Sequence, residues 1–481
     1  MKISKNIILF FFTSSFSLAL LAQGTLTNPI PPAVQTFLNR DTLGKTLISS
    51  IAINGNKKTK DYLIRREMKF KEGDSIKNTL LPGLIAESRK LIYNTTLFTE
   101  AEVIPAVDSA GLSISIIVKE KWYLFPTPQF KLVDRNFNEW IKRHNGDLNR
   151  VIYGLKFAHY NFSGRGDPLR IYLLTGYAQN ASFSYSAPRR KTGLTEGFAV
   201  SASFTKNREI SFRTNFNNQI LFYSGKGFIR ESISAGAAYF IRKGFYRSHS
   251  FGVGYVFINL DDSVIIKTGT DYFNSNVSSK GFTDLSYSFR HINVDNVNYP
   301  LKGNFYGVSV FKRGLGFTGG INLLEVNGAI SNFHPHGKNW YSNLQLIGKI
   351  KAPFNLAYIN RRALGFGDFY LRGLENYVID GVAAAVAKYT LKKKLFSFDI
   401  PVPFNIRTIP KIPVAFFAKT FADAGISYIP SRFNTMLNNQ LLYTAGFGLD
   451  VLTLYDINIR FEYSFNQLGQ NGLFLHAKGG F

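Results

Sequence analysis

Hydrophobic and polar residues alternate one for one in much of the second half of the chain. In DINIRFEYSF, Ile457, Ile459, Phe461, Tyr463 and Phe465 interleave with Asp456, Asn458, Arg460, Glu462 and Ser464. A period of two is the signature of a strand with one apolar and one polar face. DLSYSFRH repeats it, with Leu285, Tyr287 and Phe289 set against Ser286, Ser288 and Arg290. At the C-terminus Leu473, Leu475, Ala477, Gly479 and Phe481 share one face. Strand-like segments of this kind recur from about residue 124 to 481, separated by Gly, Asn, Asp and Ser.

Upstream the texture is mixed. TLISSIAINGN reads as a strand closing in Gly55-Asn56, and Thr59 is placed to cap a helix with Leu63, Ile64 and Met68 on its apolar face. Leu84, Ile85, Ser88, Leu91 and Ile92 follow at helical spacing, and two strand-like runs, LFTEAEVIPAV and LSISIIVKEK, complete a β-α-α-β-β unit over residues 47–121. NPIPPAVQTF, inside 23–46, reads as a proline-bearing linker. The first 22 residues carry Lys2 and Lys5, an apolar run Ile7–Leu21, and Ala22, the layout of a secretory signal peptide.

Composition then restricts what the strands build. The 481 residues are 45% hydrophobic and include 45 Phe and 25 Tyr, yet no run beyond the leader reaches the roughly 18 apolar residues of a spanning helix. In a bilayer, where water cannot satisfy backbone groups, a strand protein must close on itself. The expected fold is mainly β: a transmembrane antiparallel β-barrel over 122–481, preceded by one small α+β domain. At about 20 to 25 residues per strand and connection, that segment makes on the order of 16 strands. The chain has no cysteine, so neither lipoprotein anchoring nor a disulfide framework is available. The net charge of +26 suits anionic lipid headgroups or a cationic lumen, and nucleic acid is not an expected partner of an exported barrel.

Little suggests a chemical step. No nucleophile elbow, phosphate loop or His-Glu zinc pattern occurs, so no enzyme and no cofactor are expected. His334-Pro335-His336 reads as an exposed hairpin loop, and no metal is expected. Arg189-Arg190-Lys191 and Lys392-Lys393-Lys394 read as solvated loop charges, and GRGD at 164–167 as a tight turn.

The order of short motifs is more specific. INGNKKTKDYLIRREMKFKEGD, ESRKLIYNTTLFTEAEV and ISIIVKEK together resemble a POTRA domain, the module that precedes the barrel in BamA-like outer-membrane assembly proteins, the surface-antigen family. Farther on, YNFSGRGDPLRIYL, DNVNYPLKGNFYGVSV, LRGL and FADAG resemble that family's early hairpin, mid-barrel segment, Arg-Gly loop and a later strand. The resemblance covers about residues 47 to 481. It implies an outer-membrane barrel of a Gram-negative bacterium with its POTRA domain in the periplasm. It implies as partners unfolded outer-membrane client proteins, outer-membrane lipids and accessory assembly proteins.

Resemblance also assigns residues. It implies that Arg372 and Gly373 are the tip of a loop folded back into the lumen, with Asp423 and Phe421 as wall partners; a guanidinium pairs with a carboxylate and stacks on a ring. Where the family usually carries a glutamate after the loop, this chain has Lys388. It further implies that clients join the POTRA sheet at an edge, supplied by LSISIIVKEK or TEAEVIPAV, and that the barrel seam opens sideways. Pro126 and Pro128 in the first strand and Gly479 and Gly480 near the end of the last weaken that seam, which closes at Phe481. A single POTRA domain leaves open a general assembly machine or a specialised paralogue. A secretion pore for one partner and a passive porin are the rival readings.

Overall fold

The computed structural model describes residues 30–133, 145, 147–188, 195–367, 369–402, 411–430 and 434–478. The stretch 1–22 read as a leader, the Arg189-Arg190-Lys191 run, and Gly479, Gly480 and Phe481 lie outside the described residues.

The N-terminal unit is a four-stranded sheet covered by helices. Strands β1 (Lys45–Asn54), β2 (Ser75–Lys77), β3 (Phe98–Asp108) and β4 (Gly111–Glu120) lie in the order β2-β1-β4-β3, with β1 and β4 parallel and the other pairs antiparallel. In β4, Leu112, Ile114, Ile116 and Val118 turn inward at period two and meet Leu63 and Ile64 of α2 (Asp61–Arg66) and Ile85 and Ile92 of α3 (Leu81–Tyr93) in one core. Gly55 closes β1 at φ +95°, where a Cβ would stand 1.9 Å from the Val118 carbonyl oxygen, so only glycine fits.

Three expectations need correction here. The stretch read as a linker contains α1 (Pro32–Arg40), whose Val34 and Leu38 are buried in the same core. A proline in the first turn is compatible with a helix because its missing N–H would be unpaired there anyway. Thr59 does not cap α2; the residue before the helix is Lys60, and Thr59 is buried with the Tyr123 hydroxyl 3.1 Å away. LSISIIVKEK cannot supply a sheet edge, because β4 is paired on both sides; TEAEVIPAV lies in β3, which is an edge strand.

Among the described residues the remainder is built on one antiparallel sheet of 16 strands, running from Leu124–Leu132 to Asn471–Lys478, with two small two-stranded sheets in its connections. Its polarity is the reverse of a water-soluble protein. Along Ile457–Asn466, Phe461 is 40% exposed and Phe465 46%, whereas Glu462 and Ser464 are buried at 0% and 1%. Phe251, Val253, Tyr255 and Phe257 likewise face outward from one strand. Apolar side chains outward and polar ones inward make a barrel built for hydrocarbon outside and a polar lumen within. Among the described residues no helix is long and apolar enough to cross a membrane.

The small domain rests on one mouth of the barrel. Arg242 donates to both carboxylate oxygens of Glu67 at 2.6 and 2.8 Å, Lys90 Nζ reaches Asn293 Oδ1 at 2.9 Å, and Tyr93 donates to Asp456 at 2.9 Å. The opposite mouth carries the longer connections, among them a hairpin (Glu209–Thr214 with Ile220–Ser224) and the segment between Ala352 and Ala383.

Candidate functional site

The connection after Trp340–Ala352 folds back into the lumen. Its stem is held by Asn218 of the outer hairpin, which accepts from Val378 N–H at 2.8 Å and donates to Thr435 Oγ1 at 2.6 Å. Leu364, Leu371, Leu374 and Ile379 of the loop form an apolar cluster with Leu437 and Leu442. That packing carries the polar tip to the wall.

At the tip Arg372 meets four strand residues at once. Its backbone N–H and Nε donate to Asp423 Oδ2 at 3.0 and 2.9 Å, and Nη2 donates to Asp423 Oδ1. Nη1 donates to Thr390 Oγ1 at 2.9 Å, Nη2 to the Tyr389 carbonyl at 3.3 Å, and the guanidinium lies 4.0 Å over the Phe421 ring. Arg372 is 7% exposed and Asp423 3%, so a charge stripped of water is returned through a fork-shaped set of hydrogen bonds and a ring face. Gly373 follows at φ +90°, where an added Cβ would stand only 2.9 Å from Ser464 Cβ, and its carbonyl accepts from Asn466 Nδ2 at 2.8 Å.

Lys388 stands directly opposite Asp423 in the ladder, and its amine lies 4.2 Å over the Tyr370 ring. The position therefore adds a second cation beside Asp423, with the loop's own aromatic residue facing it.

A second polar cluster fills the lumen floor. Lys419 of Lys411–Tyr428 donates to Asp450 and, at 2.6 Å, to Glu462; Lys392 lies 3.4 Å from Asp450, and Tyr299 donates to Asp450 at 2.8 Å. The lysine run 392–394 is thus not a loop: it lies in Ala383–Pro401, and Lys392 points into this network. A lumen-facing lysine and a solvated one look alike in sequence. GRGD is a turn, held by Asp167 accepting from the Ser163 N–H at 2.9 Å. His334 and His336 stack edge to face at 4.8 Å, and His336 bonds Ser342 at 2.7 Å beside an exposed hairpin turn.

The sheet has a seam. Among the described residues the first and last strands share no ladder. The Tyr123 carbonyl accepts from Tyr160 and the Val133 N–H donates to Arg150, so odd-numbered residues of the first strand turn their backbone groups to Val151–His159. Pro126 and Pro128 therefore face the free edge, which retains their carbonyls and lacks their N–H groups. At the other edge the Gln470 carbonyl accepts from Asn466, leaving the backbone groups of Asn471, Leu473, Leu475 and Ala477 toward the seam.

Comparison with known proteins agrees with this architecture. The POTRA family, surface antigen variable number repeat, matches residues 46–121. CdiB from Escherichia coli is similar over 90% of this chain and 75% of its own, with a TM-score of 0.50 and 12% identity. BamA from Haemophilus ducreyi lacking POTRA domains 1–3 is similar over 90% and 84%, with a TM-score of 0.49 and 15% identity. No curated relative matches by sequence. In architecture the chain is a POTRA domain followed, among the described residues, by an antiparallel barrel sheet of 16 strands.

Proposed function

We propose that this chain is an outer-membrane factor that inserts client polypeptides into the membrane or moves them across it, without an enzymatic step. The observation that carries the reading is the seam: among the described residues the first and last strands of the sheet share no ladder, and the first is depleted of donors at Pro126 and Pro128. An edge with free backbone groups can add a client strand of any sequence, because main-chain hydrogen bonds ignore side chains. The POTRA domain receives clients first, and β3, the longer of its two edge strands, offers them an edge. Pro105 sits in that edge strand, where a missing N–H is tolerated.

A passive porin is disfavoured by a lumen that holds a docked loop and a packed ion network. A secretion pore for one partner uses the same parts. Against a helix plugging the lumen, α1 is committed to the POTRA core through Val34 and Leu38.

Depletion of the protein followed by quantitative outer-membrane and secreted proteomics separates these readings. Loss of many outer-membrane barrels is the outcome expected for assembly, and loss of one secreted protein for a dedicated exporter. Unchanged levels of both, with impaired small-solute uptake, would overturn the proposal.

A further inference from the structure

The loop tip, the penultimate strand and the last strand meet at a third cluster. Glu375 from the loop, Glu462 from Ile457–Asn466 and His476 from Asn471–Lys478 bring one ligand atom each to within 4.8 Å of one another. Nε2 of His476 lies 3.5 Å from Glu375 Oε1 and 3.3 Å from Glu462 Oε2. None of these three atoms has a hydrogen-bond partner, although all three are buried and Glu462 is 0% exposed.

The other oxygens of both carboxylates are already anchored. Gly373 N–H holds Glu375 Oε2 at 2.6 Å, and Lys419 holds Glu462 Oε1 at 2.6 Å. Each carboxylate therefore has one oxygen fixed by a neighbour and the other aimed at a common point, which is how outer contacts orient metal ligands. Ligands about 2.1 Å from a tetrahedral ion stand about 3.4 Å apart, close to the two distances His476 makes.

We propose that Glu375, Glu462 and His476 bind a first-row divalent cation such as Zn²⁺. One imidazole and two carboxylates, without thiolate, suit that class better than Ca²⁺ or Cu(I). His476, 23% exposed at its side chain, gives a route from the lumen. The bound ion ties the loop to the last strand, beside the seam. Two carboxylates would neutralise it, and Lys419 is shared with Asp450, so its charge is not directed at Glu462 alone. The inference rests on this geometry and not on the transport reading.

The full-length barrel, folded in detergent micelles, is equilibrated with Zn²⁺, washed free of loose metal and assayed for zinc per chain. Parallel Co²⁺ titrations report coordination through visible d–d bands. The expected result is about one ion per chain, falling to background in His476→Gln and in Glu375→Gln. Zinc should also raise the temperature at which the wild-type barrel loses its compact electrophoretic form, and leave His476→Gln unmoved. Glu375 lies on a loop and its variant tests the site if a strand variant fails to fold. No retained zinc in the folded wild type, as a protonated imidazole between the carboxylates would give, overturns the proposal. So does equal zinc in wild type and variants.

Discussion

Arg372 and Asp423, 51 residues apart in sequence, are joined by the backbone N–H as well as the guanidinium of the arginine. The carboxylate thus fixes both the position of the loop backbone and the orientation of its side chain. Removing one member of such a buried pair leaves the other charge uncompensated, at a cost of about 3–5 kcal/mol. Arg372→Ala and Asp423→Ala should each lower the yield of folded, heat-modifiable barrel. The double variant should be less impaired than the sum of the two, and additivity in that cycle would remove the assignment.

Gly373 offers a gentler test of docking. A side chain there meets Ser464 and must adopt φ near +90°, a conformation that costs an L-residue roughly 1–2 kcal/mol. Gly373→Ala should expose the loop to protease added from outside while leaving the strands folded. Wild-type protection would show that the tip does not need glycine.

The contact between the POTRA domain and the barrel mouth should be acid-sensitive. Burial pushes the Glu87 carboxyl up, but hydrogen bonds from Lys90 and Tyr246 outweigh it and hold the group below its ordinary value of 4.5. A carboxylate depressed in the folded state adds stability above its unfolded pKa and loses it as pH falls through the folded one. Spin labels on α3 and on the turn at Gly244 should therefore keep a narrow distance distribution from neutral pH down to about pH 4.5 and broaden below it. Glu87→Gln should weaken the contact at neutral pH. An unchanged distribution in both experiments would deny Glu87 a part in the joint.

The position of α1 predicts different stabilities for two fragments. Residues 30–121 include Val34 and Leu38, buried at 1% and 5%, whereas 47–121 lacks them. Each such side chain contributes about 1.5–3 kcal/mol when buried. Both fragments should show mixed α and β circular dichroism, with the longer one melting at the higher temperature. Equal melting temperatures would mean that α1 is not part of the folding unit.

The legible parts of this fold are those set by local pattern. The alternation in Asp456–Phe465 shows strand and facing at once, because the two faces of each barrel strand meet different media. Asp423 and Phe421 could be matched to Arg372 only through motif order, since nothing local links a loop to a strand 51 residues later. Nothing in the sequence groups Lys419, Asp450 and Glu462: each sits on the polar face of its own strand, and only the register of three strands brings them together. Sheet order was equally hidden. The alternation in β4 is that of any half-buried strand, and its parallel pairing with β1 makes it internal. The helix α1 was obscured by the prolines before it, which read as linker and instead start the first turn.

Lateral opening is the claim on which the proposed function depends. The absence of native cysteine allows a clean lock: one cysteine within 126–132 and one within 473–477, chosen as a pair that crosslinks efficiently in the folded barrel. Cells relying on this variant are compared with the disulfide oxidised and reduced, reading client assembly or export in each. The account predicts that the locked barrel fails and that reduction restores it to the level of the single-cysteine controls. A fully oxidised barrel that handles its clients as well as the reduced one would contradict it.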